Sequence, residues 1–218
     1  MNDIIQTIAV YAIPVIFAIT LHEAAHGYVA KHFGDATAYV QGRVTLNPLK
    51  HIDPVGTIAI PLVLIVLAIF TGNNFIFGYA KPVPVSFGNL NHPKRDMIWV
   101  ALAGPAANFI QALLWVILGL VLTSLGVREP FFYMVVQAGV LVNLVVLAFN
   151  LVPVPPLDGG RVLTGLLPMR LAVPFSRIEP YGFFIVLALI FTHALNPWMF
   201  AIIGTFQSLL AMLVSPFV

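Results

Sequence analysis

The chain has no cysteine. That excludes disulfides and thiolate ligands, so any metal it holds must be bound by His, Asp or Glu. Charge is also scarce: of 218 residues, 8% are charged and 60% are hydrophobic. Soluble domains carry about 25% charged residues, so there is too little polar surface here to solvate a globule. No basic cluster is interleaved with aromatic residues, which argues against nucleic acid. The net charge of +2 is read as contact with lipid headgroups. No Lys or Arg precedes Lys31. The basic start of a cleaved signal peptide is therefore missing, and the first apolar segment is expected to be retained. There is no internal repeat and no low-complexity tract. These exclusions leave an all-α polytopic membrane protein, with one membrane-embedded domain over residues 1–218.

Apolar runs fall at 4–30, 55–71, 97–125, 132–152, 181–195 and 197–217. The core is expected over 4–165, with a C-terminal helical hairpin at 181–217 turning at Asn196-Pro197. The run 181–195 is short for a span of ~20 residues; it borrows from 171–175 or sits in a thinned region. The brief connection Gly126 to Pro130 predicts that runs 97–125 and 132–152 are antiparallel neighbours. Residues 75–90 read differently, with β-branched and aromatic residues among Gly and Pro. Pro82 and Pro84 forbid a central strand and predict an edge strand or small β-hairpin.

Charge bears on whether 55–71 crosses the bilayer. If it crosses, the ten basic residues divide six to four; if it is re-entrant, nine lie on one side and Arg128 on the other. The positive-inside rule favours the second arrangement, and Pro54, Gly56 and Pro61 suit a broken element. The expectation is five to six transmembrane helices: five crossings and a re-entrant segment, with the N-terminus outside and the C-terminus in the cytoplasm.

The chemistry concentrates in His22-Glu23-Ala24-Ala25-His26, at the inner end of the first run. Two histidines four apart share one helix face, so both imidazoles can reach one metal ion. Glu23 is then within reach of a water on that metal, the H-E-x-x-H hydrolase pattern. Residues 4–21 carry no charge, and ionisable residues inside a membrane are functional candidates by default. Two imidazoles do not complete a catalytic zinc site, which takes three protein ligands. Among eight acidic residues, Asp158 stands out. It follows Asn150 and three prolines and precedes Gly159-Gly160, an extended segment suited to delivering a ligand from a second helix.

These blocks make the chain resemble the site-2 protease family of intramembrane zinc metalloproteases. His22-Glu23-Ala-Ala-His26 is similar to the family's zinc-binding helix. Ala103-Gly104-Pro105-Ala-Ala-Asn108 is similar to the motif opening its next core helix. Residues 150–160 are similar to its Asn-Pro-Asp-Gly segment. Gly78-Tyr-Ala-Lys-Pro-Val-Pro-Val85 resembles the small prokaryotic branch without a PDZ domain. The resemblance implies one zinc ion per chain, bound by His22, His26 and Asp158, with Glu23 taking a proton from the zinc-bound water. It implies that Asn150 holds the substrate backbone or the developing oxyanion. The substrate would be a transmembrane helix in the lipid bilayer, unwound and paired to an edge formed by Lys81, Pro82, Val83, Pro84 and Val85. The setting implied is a prokaryotic cell (inner) membrane, with the active site toward the cytoplasm.

Blander readings stand beside these. Asp158 is also readable as an Asx turn, and Asn150 as a helix C-cap. Gly104, Pro105 and Asn108 read as helix packing and a bend. His32, His51, His92 and His193 read as loop or interfacial histidines, with a gating role conceivable for His51. A metal or proton transporter would use the same His and Asp residues but predicts inverted repeats, and none is visible. A catalytically dead scaffold would not need Glu23.

Overall fold

The computed structural model of the chain describes residues 2–51, 53–59, 63 and 81–217. Lipid offers no hydrogen-bond partners, so apolar segments must pair their amides within their own helix. Helix α1 spans Asn2–His32 and the short α2 spans Thr37–Val40. Helix α3 is Pro93–Ser124 and α4 is Pro130–Asn150. Then come α5 (Asp158–Leu166), α6 (Met169–Ser176), α7 (Glu179–Phe191) and α8 (Asn196–Val214).

The ends of these helices follow from their residues. Helices α3 and α4 open on proline, whose missing N–H is no loss at the first helical position. Asp96 in the first turn of α3 accepts the His92 N–H at 2.7 Å, which satisfies a donor at the helix start. After α3, Gly126 adopts φ 70°. Gly126 and Val127 then donate back to the Thr123 and Leu122 carbonyls, both at 3.0 Å, closing the helix in a Schellman motif. The chain turns directly into α4, giving the antiparallel pair that the short connection predicts.

Cross-helix contacts fix the directions. Asn108 of α3 meets Ala18 of α1 at 3.1 Å and Asn143 of α4 at 2.9 Å. Nearer the start of α3, Val100 meets His26 at 2.7 Å. Toward the start of α1, Gln6 meets Met134 at 3.7 Å. Helices α1 and α4 are therefore parallel, and α3 runs against both. Ala18, Ala24, Ala30, Ala101, Ala112, Ala138 and Ala148 are buried between helices, where small side chains permit close approach. Ile8, Ile16, Phe17, Leu114, Leu118 and Val121 are exposed on faces suited to lipid. Four helices are long and apolar enough to cross a membrane, or five if the bent pair α6–α7 is one span. The protein is an integral membrane protein.

Three expectations change. First, α8 begins beside the end of α4, where the Trp198 indole donates to the Ala148 carbonyl at 3.0 Å. It then runs back along the core: Phe206 packs on Phe109 at 5.3 Å, and Leu210 clusters with Ala112 and Leu144. The chain thus leaves α4 and enters α8 on the same side. The segment 181–217 is therefore not a pair of crossings, which puts the end of α8 on the side of the N-terminus and not, as expected, in the cytoplasm; the four to five candidate spans meet only the lower end of the expected five to six. At 13 residues, α7 reaches only about 20 Å, short of a ~30 Å hydrocarbon core. It joins α6 at a bend of 72°, so α6 does not extend it as a straight span. The turn falls at 192–195, because Asn196-Pro197 opens α8 instead of breaking it.

Second, no strand is present among the described residues, so the small β-hairpin is not found there. Residues 81–86 form irregular chain, and three of its four N–H groups are taken up elsewhere. Lys81 donates to the His51 carbonyl at 2.9 Å, Val83 to Glu23 at 2.7 Å and Ser86 to Asp35 at 2.7 Å. Residues 75–80, the other part of the expected hairpin, lie outside the described residues. Third, most of the expected re-entrant segment 55–71 also lies outside them; at its start, Pro54–Ala59 forms a π-helical turn.

Candidate metal centre

His22 and His26 lie on the inward face of α1, one turn apart, and both are buried. Asp158, also buried, is the first residue of α5. A carboxylate is favoured there by the helix dipole. Asp158 Oδ2 lies 3.2 Å from His22 Nε2 and 3.3 Å from His26 Nε2. The two Nε2 atoms are 3.1 Å apart. Among the described residues, these three form a group whose metal-ligating atoms lie within 4.8 Å of one another.

The outer nitrogens decide what this cluster can hold. His26 Nδ1 faces the Val100 carbonyl oxygen at 2.7 Å, which can only accept, so Nδ1 carries the proton. His22 Nδ1 faces Asn108 Oδ1 at 2.6 Å. The Asn108 amide is oriented by its own partners, since its Nδ2 donates to the Ala18 carbonyl and to Asn143 Oδ1. Asn143 in turn donates to the Gly139 carbonyl at 2.8 Å. Two backbone carbonyls thus fix the direction of the whole chain of bonds, and His22 Nδ1 must be a donor. Neutral imidazoles so placed turn their Nε2 lone pairs inward. Asp158 Oδ2 joins them, buried and without a hydrogen-bond donor. Three buried acceptors facing one another call for a cation. Tetrahedral zinc with bonds of ~2.0–2.1 Å separates its ligand atoms by about 3.3 Å, which matches the three distances.

Gly104 of α3 closes one side of the cluster. A methyl there would stand 2.5 Å from His22 Cε1, His22 Nε2 and His26 Nε2. Glu23 follows His22 in sequence and is half-buried. Its carboxylate accepts the Val83 N–H at 2.7 Å, which draws residues 81–85 against the site. Arg43 holds the Lys81 and Pro82 carbonyls at 2.9 and 3.4 Å. Val85 packs against the Ala30–Val100 cluster, while its N–H finds no partner among the described residues. Asn150 is not brought onto the cluster. Its amide donates to the Val146 carbonyl of its own helix at 3.0 Å. His51 is buried in the loop that supports Lys81, its Nε2 2.9 Å from the Thr45 carbonyl.

Asn108, Asn143, Gly104 and the Val100 carbonyl are the site groups that sequence reasoning passed over. Asn108 was read as packing, in a motif opening a helix; it lies mid-helix instead, as the partner of His22. The available signal was polarity: Asn108 and Asn143 interrupt runs that are otherwise apolar.

Comparison with known proteins agrees with this geometry. Residues 127–193 match the sequence model of Peptidase family M50, a stretch that contains Asp158 but not the α1 histidines. The chain is 39% identical over 189 residues to "Putative zinc metalloprotease YwhC" of Bacillus subtilis, covering 83% of this chain and 79% of the relative. It is 31% identical over 191 residues to "Putative zinc metalloprotease Rip2" of Mycolicibacterium smegmatis, covering 88% and 70%. No solved structure matches the chain.

Proposed function

Because the chain belongs to peptidase family M50, the site-2 protease family of zinc metalloproteases, we propose that it hydrolyses peptide bonds in or near transmembrane helices, with His22, His26 and Asp158 holding one zinc ion and Glu23 as general base. The observation that carries this reading is the convergence of three buried acceptor atoms beside Glu23. Zinc held there would polarise the scissile carbonyl and make a bound water far more acidic. Glu23 takes the proton of the attacking water and passes it to the leaving amine. Asn108 and Val100 keep both imidazoles in the ligating tautomer.

Residues 81–85 are where the substrate pairs. A helical peptide bond is already hydrogen-bonded, so the substrate must unwind, and its bare amides are expensive in lipid. In an extended chain, amides two residues apart point the same way. Val83 directs its N–H at Glu23, so a strand laid along Val83 and Val85 brings its peptide bonds to the base. The side-chain oxygen of Asn150 has no partner among the described residues and accepts a substrate N–H.

Topology supports access from one side. His51 bonds Lys81, and Phe33 bonds Asn91 at 2.8 Å, so the chain leaving α1 returns to where it left. The described residues that flank 52–80 therefore sit at the same end of the helices. With α1 and α4 parallel, nine of the ten basic residues share the side of the site, which the positive-inside rule makes cytoplasmic.

Metal analysis and turnover test the reading together. The wild type should hold one zinc per chain and cleave transmembrane peptides in detergent, with cleavage abolished by a chelator. Glu23→Gln should retain the zinc and lose turnover. A Glu23→Gln variant that still cleaves at the wild-type rate would remove Glu23 from the chemistry.

A further inference from the structure

Gly182 and Val186 are the buried residues of α7. Gly182 lies against Pro155, in the loop that delivers Asp158. A methyl on Gly182 would overlap the Pro155 carbonyl oxygen and stand 2.6 Å from Pro156 Cδ. On the α5 side, Gly160 makes the second close approach, where a methyl would overlap the Pro155 nitrogen and the Val154 carbonyl carbon. Pro155 is therefore gripped between two glycine backbones, one on α5 and one on α7. Asp158 follows three residues later.

The loop needs this grip. Pro153, Pro155 and Pro156 have no N–H to donate. The loop's own bonds are few: Val154 to Val152 at 2.8 Å and Leu157 to Val154 at 3.0 Å. Its position must come from what packs on it. The exposed Arg161–Glu179 pair at 3.7 Å is too solvated to set it. The Gly182 contact is backbone against backbone, so it has little compliance.

We propose that Gly182 is a positioning residue for the metal: α7 presses on Pro155 and thereby sets the Asp158 carboxylate between the two imidazoles. The proposal rests on the reading of Asp158 as a zinc ligand. It gives α7, which at 13 residues is too short to span a bilayer alone, a defined task in the site.

The test compares zinc affinity in purified wild type, Gly182→Ala, Asp158→Ala and Gly204→Ala. Nothing lies within 4 Å of a methyl on Gly204 in α8, so that variant adds the same atom without a contact. Dissociation constants come from competition with a chromophoric chelator. The d–d spectrum of cobalt-substituted protein reports the ligand geometry, which loss of stability alone would not move. Gly182→Ala should weaken zinc about tenfold or more, in the range for groups that orient metal ligands, and should shift the cobalt spectrum. Gly204→Ala should match the wild type. If Asp158→Ala loses zinc while Gly182→Ala keeps wild-type affinity and spectrum, the proposal is wrong and the ligand assignment stands. If Asp158→Ala retains zinc, both fall. Should Gly182→Ala not accumulate as folded protein, Val186→Ala loosens the same helix more gently. It should weaken zinc severalfold, and unchanged affinity there overturns the proposal.

Discussion

Asn108 gives a substitution pair that separates metal binding from folding. Its side chain accepts from His22 Nδ1 at 2.6 Å and donates to the Ala18 carbonyl at 3.1 Å and Asn143 Oδ1 at 2.9 Å. Asn108→Leu deletes all three bonds. It leaves a buried imidazole N–H and a buried amide oxygen unpaired, each worth about 1–3 kcal/mol, while the Ala18 carbonyl keeps its bond within α1. It also frees the His22 tautomer, and loss of such an orienting bond weakens metal binding by roughly 10–100-fold, or about 1.4–2.7 kcal/mol. Asn108→Asp behaves differently. A carboxylate still accepts from His22, so the ligand keeps its tautomer. It cannot donate to Ala18 or Asn143, so acceptor faces acceptor on the other side. Asn108→Asp should bind zinc within a few-fold of wild type yet melt at lower temperature; Asn108→Leu should lose on both counts. The assays are chelator competition and thermal melting in detergent. The reasoning fails if Asn108→Leu binds zinc as tightly as wild type, or if folded Asn108→Asp loses zinc as severely as Asn108→Leu.

Val85→Pro should slow cleavage of every transmembrane substrate without releasing zinc, since the Val85 N–H has no partner of its own to lose; unchanged cleavage rates would reject pairing at this edge. In sealed cells, an impermeant thiol reagent should label the Ser215→Cys variant at the end of α8 from outside and leave Ser86→Cys unlabelled. The reverse pattern would invert the orientation. Asp35 accepts from Thr37, Ser86 and Asn89. Burial opposes its charge, but these donors lower its pKa below 3.8. The carboxylate therefore stabilises the fold fully above that ordinary value, and the benefit disappears as pH falls through the lowered one. Asp35→Asn should cost on the order of 1 kcal/mol at neutral pH, at the low end for charge-assisted bonds because the knot lies at the solvated periphery. A stability gap between the two proteins that persists undiminished at pH 2–3 would contradict this.

The chemistry was more legible than the topology. His22, Glu23 and His26 announce themselves because helix period and metal spacing coincide in an otherwise uncharged run. Asp158 stands out because few carboxylates exist to choose from. Asn143 was missed because one amide in an apolar run has no spacing partner along the chain; its partner, Asn108, is 35 residues away. The C-terminal path was misread for another reason. Hydropathy reports that residues 181–195 prefer lipid, and it does not report whether they traverse it. That is decided by where the next helix is anchored, here by the Trp198–Ala148 bond. The β-hairpin expectation had the same weakness. Pro82 and Pro84 correctly mark residues 81–86 as non-helical, but pairing needs a second strand, and Glu23, His51 and Asp35 take up three of the four N–H groups instead.

The cluster also explains why the surrounding helices carry buried polar groups that a membrane protein would otherwise avoid. Four separate helices contribute: α1 the imidazoles, α3 Gly104, Val100 and Asn108, α4 Asn143, and α5 Asp158. Each buried amide has its acceptor aimed at the donor that leads toward His22, and the series ends on the Gly139 carbonyl, which needs no further partner. Polarity therefore runs one way, from a backbone carbonyl in α4 to the inward lone pair of an imidazole. A chain of bonds with a fixed direction specifies one helix register, because sliding α3 by a turn would strip partners from the Asn108 amide, His22 Nδ1 and the Asn143 side-chain oxygen in lipid. Under the proposed zinc assignment, the same bonds that align α1, α3 and α4 also turn the imidazoles to face the metal, so helix packing and ligand orientation are one set of interactions.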